Sequence, residues 1–592
     1  MNKRWSLDEL YLGFDDPKFS KDIEDYKKEI ENFCTWSKEN LNSTESAKEK
    51  LETFINKSNE IAYYSMIGTY CRLLTAVDSE NHTAQKYSET YQSISTGLVV
   101  PETALINFIK GIDNLDELIE GSAVLKEHKF YLEEAKEHAK YVLSEKEESA
   151  ISKMRNTGSG AWRTLHNQLT SLLVVDLDGK KTTLPMVRNM SQDSDPAVRK
   201  AAYEAEVAAL KTIEVSSAAC LNSIKGEVIT EYKLRGYDSP LDMTLKNSRM
   251  ESTTLEAMLE AIQEYLPELR KYYLQKAKNL GYNAPLKYYD ICAPVGEISM
   301  SMSYEKAAEY IVSKFTGFAP ELGNFAKHAF ENRWLDVEPR AGKSGGAFCS
   351  GVPQLKQSRI MSNFLEGSFD SMLTLAHELG HGYHGHCLKD ESYLNKNYPM
   401  PIAETASTFC ETLVCESALK ELAGEPLSKI AILENSLLGA TQVIVDIFTR
   451  YTFETWLFEN RVNGSLSAKE LNNLMIDAHK KVYGEGLDET TIHPYMWIVK
   501  GHYYGASRNF YNFPYAYGHL FSLGLYSKYL EEGEAFTAKY KKLLNATGSN
   551  NLRDVALMAD IDVNDINFWR SSLELIKKDV EEYISLSKQL FS

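Results

Sequence analysis

The chain has 592 residues, 43% hydrophobic and 25% charged, the balance of a globular protein long enough to bury its core in one large domain or several smaller ones. Its 83 Asp and Glu against 65 Lys and Arg leave a formal net charge of −18, with no Lys/Arg cluster, so nucleic acid is excluded as a partner because its phosphates would be repelled. No run approaches the roughly eighteen continuous apolar residues of a membrane span. Nor does an apolar run follow Lys3 and Arg4, so no secretory signal is expected. The eight cysteines (Cys34, Cys71, Cys220, Cys292, Cys349, Cys387, Cys410 and Cys415) include no C-x-x-C pair and read as reduced thiols, which predicts a cytoplasmic location.

In chain order, residues 17–140 place apolar residues at three- and four-residue spacing with Glu and Lys between them, which predicts helices nearly throughout. Turns are expected at Asp113–Glu117 and Gly121–Ser122. No chemistry is legible here, and the expected role is a wall. A further helix is predicted from Ser144 to about Ser171, followed by a hairpin over 172–184 around Asp178-Gly179. Asp176 and Asp178 could open a calcium loop, but the other oxygen ligands and a closing Glu are absent, so a turn is expected. Ser194-Asp195-Pro196 then caps a fresh helical run from Ala197 to about Leu234. The domain boundary is placed there, giving an N-terminal helical domain 1–193 and a second domain 194–592.

Helices are predicted over 251–280 and 303–333, and then the texture changes. Residues 338–349 are rich in glycine, and Arg359–Phe364 has the pattern of a short strand. A small sheet here would offer an exposed edge to which an extended peptide can add its backbone. A loop and hairpin with a purely structural role is the competing reading. Beyond Glu404 the chain reads as helical to about 530, interrupted near Gly464 and Gly484-Glu485-Gly486.

The chemistry sits between these stretches, in Met372–His386. His377 and His381 are four apart, so on a helix they share one face a single turn from each other, where two imidazoles bind one metal ion. Glu378 is one residue round, beside such an ion, placed to take a proton from a metal-bound water. This is what a zinc hydrolase needs from one helix. The bland alternative is a pair of satisfied core histidines. Against it, Phe369, Met372, Leu373, Leu375, Ala376 and Leu379 give the helix an apolar side to bury, Ser368 can cap it, and Asp370 suits its dipole.

Catalytic zinc has three protein ligands and a water. Glu404, among small and apolar neighbours in Pro401–Glu411, is a carboxylate in need of a partner, and zinc would be one. Glu411, seven residues on and so on the same face, is either an acceptor for a ligand histidine or a solvated helix residue. Cys387 and Cys410 do not fall on the spacing the two histidines require and read as core packing.

Three segments together carry a resemblance: His377-Glu378-Leu379-Gly380-His381 with His384 after it, Ala403–Phe409, and Phe510–Tyr515. From about residue 110 onward the chain resembles the thimet oligopeptidase and oligoendopeptidase F group of zinc metallopeptidases, the oligoendopeptidase F branch in particular. The resemblance implies that His377, His381 and Glu404 ligate one zinc ion per chain and that Glu378 is the catalytic base. It points to His502 and Tyr515 as donors to the oxyanion, to Tyr511 as a substrate contact, and to Tyr504 and Gly346 beside them. It also implies a mainly α fold, a large helical metallopeptidase with a small β-sheet beside the metal helix and a deep substrate cleft admitting short peptides. The residues support the tyrosine assignment in one respect. Residues 501–519 hold a dense cluster of tyrosines with two histidines, and buried phenols need hydrogen-bond partners that a core supplies poorly.

The expected function is therefore a zinc endopeptidase acting on internal bonds of short unstructured oligopeptides. Two alternatives stay open: a zinc carboxypeptidase or aminopeptidase with the same ligands, and a non-catalytic helical binding protein with a structural zinc. Cleavage preference and oligomeric state are not legible.

Overall fold

The computed structural model describes residues 1–296, 302–422 and 424–591. Among them the chain is mainly helical, with one two-stranded and one three-stranded sheet, as expected. It packs into two compact units and passes between them repeatedly. One comprises Met1–Val142, Met300–Ser417 and Lys528–Ile561, and the other Leu143–Ser299, Ala418–Ser527 and Asp562–Ser592. The packing does not divide at 193/194. Leu173, Val175 and Leu184, before that point, share one core with Ala202, Ala209 and Leu210 after it.

In the first unit, Asp16 accepts a hydrogen bond from the Lys18 amide and Pro17 opens the helix Pro17–Asn40, whose Phe19, Tyr26, Ile30 and Phe33 are buried on one face. They join Leu51, Phe54, Ile67, Leu105 and Phe108 from the following helices, and the same core reaches Val352 and Met361 of the sheet. The N-terminal helices are thus one side of a shared core. In the sheet, the strand Gln357–Met361 is central, parallel to Leu335–Asp336 and antiparallel to Phe348–Val352, with Cys349 opposite Ile360. Arg359 on that central strand is 1% exposed. A buried guanidinium needs partners, and it finds Glu9 at 2.8 Å and the Ser6 carbonyl at 2.9 Å. The helix Phe369–Cys387 lies against Phe348–Val352 and Gln357–Met361.

In the second unit, the hairpin pairs Val174–Leu177 with Lys180–Thr183. Asp178 and Gly179 both have positive φ, and the Asp176 side chain accepts from the Gly179 amide, which is the geometry an Asp-Gly turn favours. The single helix expected over 144–171 is two, Glu145–Thr157 and Ser159–Ser171. They break at Gly158, where a Cβ would lie 2.6 Å from Glu227 Oε2, and Ser159 donates to Glu227 through both its amide and its hydroxyl. The helix Ser252–Asn279 packs along Ile566–Leu590.

Pro426–Arg461 is long and apolar enough, by length and composition, to cross a membrane, a possibility that counting unbroken apolar runs does not register. Its most apolar part is largely buried inside the fold, and its Glu434 pairs with the fully buried Lys276 and accepts from Tyr272. It is a core helix.

Candidate active site

Ser368 accepts from the Ser371 amide and starts the helix Phe369–Cys387 at the register that puts His377 and His381 on one face. Their rings lie 5.0 Å apart, nearly perpendicular. Glu404 ends the short helix Met400–Ala403, immediately before the helix Thr405–Glu421. Its Oε2 lies 3.2 Å from His377 Nε2 and 3.3 Å from His381 Nε2, and the Ser407 hydroxyl donates to it at 2.9 Å. The ligand atoms of these three residues all fall within 4.8 Å of one another. Burial alone would raise the Glu404 pKa, but the two histidines hold it well below the usual carboxylate range.

Glu411 Oε2 lies 3.2 Å from His377 Nδ1. The seven-residue spacing from Glu404 therefore does return to the same side of His377, and Glu411 engages that ring from its Nδ1 edge.

Glu378 is 6% exposed, and its Oε2 is buried with no hydrogen-bond partner. Burial raises its pKa, opposed by His381 and His377. An unpartnered buried carboxyl oxygen is costly unless it has work to do. Cys349 is a neighbour that sequence reasoning missed: burial, with the charge of Glu378 added, pushes its thiol up to about 12. Nothing in the local sequence of Cys349 signals this, because it arrives by strand pairing.

His384, part of the same motif, does not face the ligand atoms. It is buried, hydrogen-bonded through Nε2 to Thr547 at 2.8 Å and stacked on Tyr398. Cys387 and Cys410 are buried, as packing residues should be.

The remaining site residues lie in the second unit, apart from Gly346 in the first. His502, Tyr511 and Tyr515 form one cluster, with ring centroids 5.2 Å (His502–Tyr511), 6.3 Å (His502–Tyr515) and 5.7 Å (Tyr511–Tyr515) apart. All three are only partly buried. Tyr504, expected among the substrate contacts, is corrected to a core residue. It is 1% exposed and stacked on His166 at 3.3 Å, so it offers no face to a peptide. Gly346 is exposed at φ +77, next to the edge strand, with its carbonyl accepting from Asn363.

What holds the cluster in place was also invisible in sequence. The fully buried Lys225 donates to Glu454 at 2.8 Å and to Asn509 at 2.9 Å, and Asn512 donates to Glu454 at 3.0 Å. This network pins both ends of a turn in which Phe510 takes φ +52, a conformation a bulky residue adopts only under constraint.

The donor set suits a metal: two imidazole nitrogens and a carboxylate oxygen, already converging, are the types zinc takes in catalytic sites. The comparisons agree. A model of Peptidase family M3 matches residues 189–575, more than half the chain, and one of Oligopeptidase F matches residues 111–173. Oligopeptidase PepF of Bacillus subtilis is 25% identical over 593 residues, covering 98% of this chain and 86% of that protein. Solved structures share the fold, two of them as follows. An inferred peptidase from Chlamydophila abortus has a TM-score of 0.83 at 20% identity, covering 99% of this chain and 98% of that one. Oligoendopeptidase-F from Enterococcus faecium has a TM-score of 0.71 at 18% identity, covering 96% of this chain and 100% of that one. Since the family match takes in the two histidines, Glu404 and the aromatic cluster in one continuous span, the chain belongs to peptidase family M3 and is a metallo-oligopeptidase.

Proposed function

We propose that this peptidase is a zinc-dependent endopeptidase that cuts internal bonds of short unstructured peptides in the cytoplasm, with His377, His381 and Glu404 holding the metal and Glu378 as general base. The observation that supports it most is the buried, unpartnered oxygen of Glu378 on the same helix as two of three converging ligands. When bound, zinc supplies Lewis-acid polarisation of the scissile carbonyl and lowers the pKa of a water molecule. Glu378 accepts a proton from the attacking water at its free oxygen and passes it to the leaving amine. Burial, by raising the carboxyl pKa, makes it a stronger base than an exposed glutamate. Glu411 orients His377, and Ser407 orients Glu404. His502 and Tyr515 donate to the carbonyl oxygen as it gains charge, a neutral phenol being a donor at pH 7 with an unperturbed pKa of about 10. Tyr511 contacts substrate, and the peptide backbone adds along the edge strand Phe348–Val352 near Gly346.

A peptide of about ten residues blocked at both ends tests the endopeptidase reading, since an added strand requires no free terminus. Internal cleavage, abolished by chelator and restored by zinc, is expected. Trimming of free-ended peptides with no cut in the blocked one would make the enzyme a carboxypeptidase or aminopeptidase. Glu378→Gln should keep its zinc while kcat falls by about 10²- to 10⁴-fold. Parallel loss of metal and activity would reduce Glu378 to a structural role.

A further inference from the structure

The second unit contains a partly enclosed cavity of ≈200 Å³ that the chemistry above does not use. It is smaller than the ~300–1,000 Å³ that holds a drug-sized ligand, and it has room for roughly six waters at ~30 Å³ each.

Ion pairs build its wall. Arg188 donates to Glu206 at 2.6 Å, and Arg450 pairs with Asp446. Arg199 is satisfied by Asp290 at 2.7 Å and by the carbonyls of Asp193 and Ser194. Lys500 is left over. Its ammonium lies 3.8 Å from Asp446, a carboxylate Arg450 already engages. Four cations thus line the cavity with two carboxylates, Glu206 and Asp446, while Asp290 pairs with Arg199 from behind the wall.

Two N–H groups on the wall also make no hydrogen bond. Arg450 Nε is buried without a hydrogen-bond partner. His493 is 1% exposed, and its Nδ1 accepts from the Tyr495 amide at 3.1 Å. A neutral ring with Nδ1 as acceptor carries its proton on Nε2. Burial keeps that ring neutral, lowering its pKa to about 3. His493 Nε2 has no hydrogen bond, Glu206 lying 3.7 Å away. Buried donors of this kind are costly unless an acceptor arrives.

The backbone departs from regular α-helix at the wall. Gln442–Asp446 is a π-helical segment within the core helix, and Gln442 and Asp446 at its two ends both line the cavity. Such segments strain a helix and persist where a site requires them.

We infer that the cavity is a binding site for a small organic carboxylate, its oxygens taken by Lys500 Nζ, Arg450 Nε and His493 Nε2 and its apolar body by Tyr288, Ile291 and Met496. The rest of the lining decides between an organic and an inorganic anion. Phosphate or chloride would leave the aromatic and aliphatic wall facing trapped water, whereas a carboxylate with an apolar body covers it. Lys500 fits this reading, since burial lowers its pKa and a bound anion would restore its charge.

Isothermal titration of the intact enzyme with 3-phenylpropionate, inorganic phosphate and chloride tests the assignment. The expected result is one saturable site for 3-phenylpropionate, about tenfold or more tighter than for either inorganic anion. Lys500→Met should weaken it about tenfold, the size of one hydrogen bond to a charged group. Arg450→Lys keeps the charge but loses the Nε donor, and should weaken it less. A crystal of the wild-type enzyme soaked in the carboxylate shows its position however the variants behave. Density elsewhere, absence of binding, unchanged affinity in both variants, or a preference for phosphate or chloride would overturn the proposal.

Discussion

His377 is engaged through both ring nitrogens, and the two contacts have different consequences. Nε2 faces Glu404 in company with His381 Nε2, while Nδ1 lies 3.2 Å from Glu411. A ring that donates from Nδ1 presents the lone pair of Nε2 to a metal. Glu411→Gln should therefore weaken zinc about 10- to 100-fold in a chelator competition, while the reloaded enzyme keeps most of its kcat. Unchanged affinity would return Glu411 to an ordinary solvated residue, which its 42% side-chain exposure would otherwise suggest. Tyr515 belongs to a different cluster, with His502 and Tyr511 in the second unit. A donor that engages the oxyanion only in the transition state lowers the barrier without tightening substrate binding. Tyr515→Phe should accordingly lower kcat about 10²- to 10³-fold with KM little changed. A near-normal kcat would move the role to Tyr511, Tyr517 or His519.

Two glycines on the metal helix differ in what surrounds them, and the difference ranks the contacts of that element. A Cβ on Gly380 would lie 2.5 Å from the Ala406 carbonyl oxygen and 2.6 Å from Ser407 Cα, both backbone atoms of the helix that follows Glu404. That close approach brings Glu404 to the two histidines. Gly380→Ala must push the helices apart, at about 1–3 kcal/mol, and should reduce zinc affinity along with the melting temperature. On Gly385 the nearest atom is Ser358 Oγ at 4.0 Å. Gly385→Ala removes the entropic cost of a mid-helix glycine and should stabilise the fold by about 0.5–1 kcal/mol with zinc binding unchanged. If the two variants melt alike, the contact between helices does not set the ligand geometry.

Across the whole molecule, acid stability rests on buried histidines that stay neutral. Burial lowers the pKa of His384 in the first unit to about 3 and that of His166 in the second to about 4, from an ordinary 6.5. Below 6.5 the unfolded chain takes up protons that the folded one refuses. Stability is therefore complete above that value and is lost as pH falls toward each folded pKa, by up to about 1.4 kcal/mol per pH unit for each ring. Thermal unfolding measured from pH 7 to pH 4 should show this decline. A His384→Gln, His166→Phe variant should show a shallower one, and equal slopes would place the acid sensitivity elsewhere.

The pairing of His377 with His381 and the helical class were legible because they depend on neighbours in the chain. A four-residue spacing fixes His377 and His381 to one helix face, and a seven-residue spacing returns Glu411 to the face of Glu404, wherever the helices end up. The hairpin at Asp178-Gly179 was legible for the same reason, since the turn is made by the residues that form it. Other features rest on partners far away in sequence. The helix break at Gly158 is held by Glu227, which accepts from the Ser159 amide and hydroxyl. Tyr504 is core because His166 stacks on it, and Lys225 supports the aromatic cluster through Glu454, 229 residues on. The division into units, the burial of Pro426–Arg461 and the cavity around Lys500 belong to this second kind. Periodicity records which face a residue takes on its own element, and only packing of the entire chain decides what that face meets.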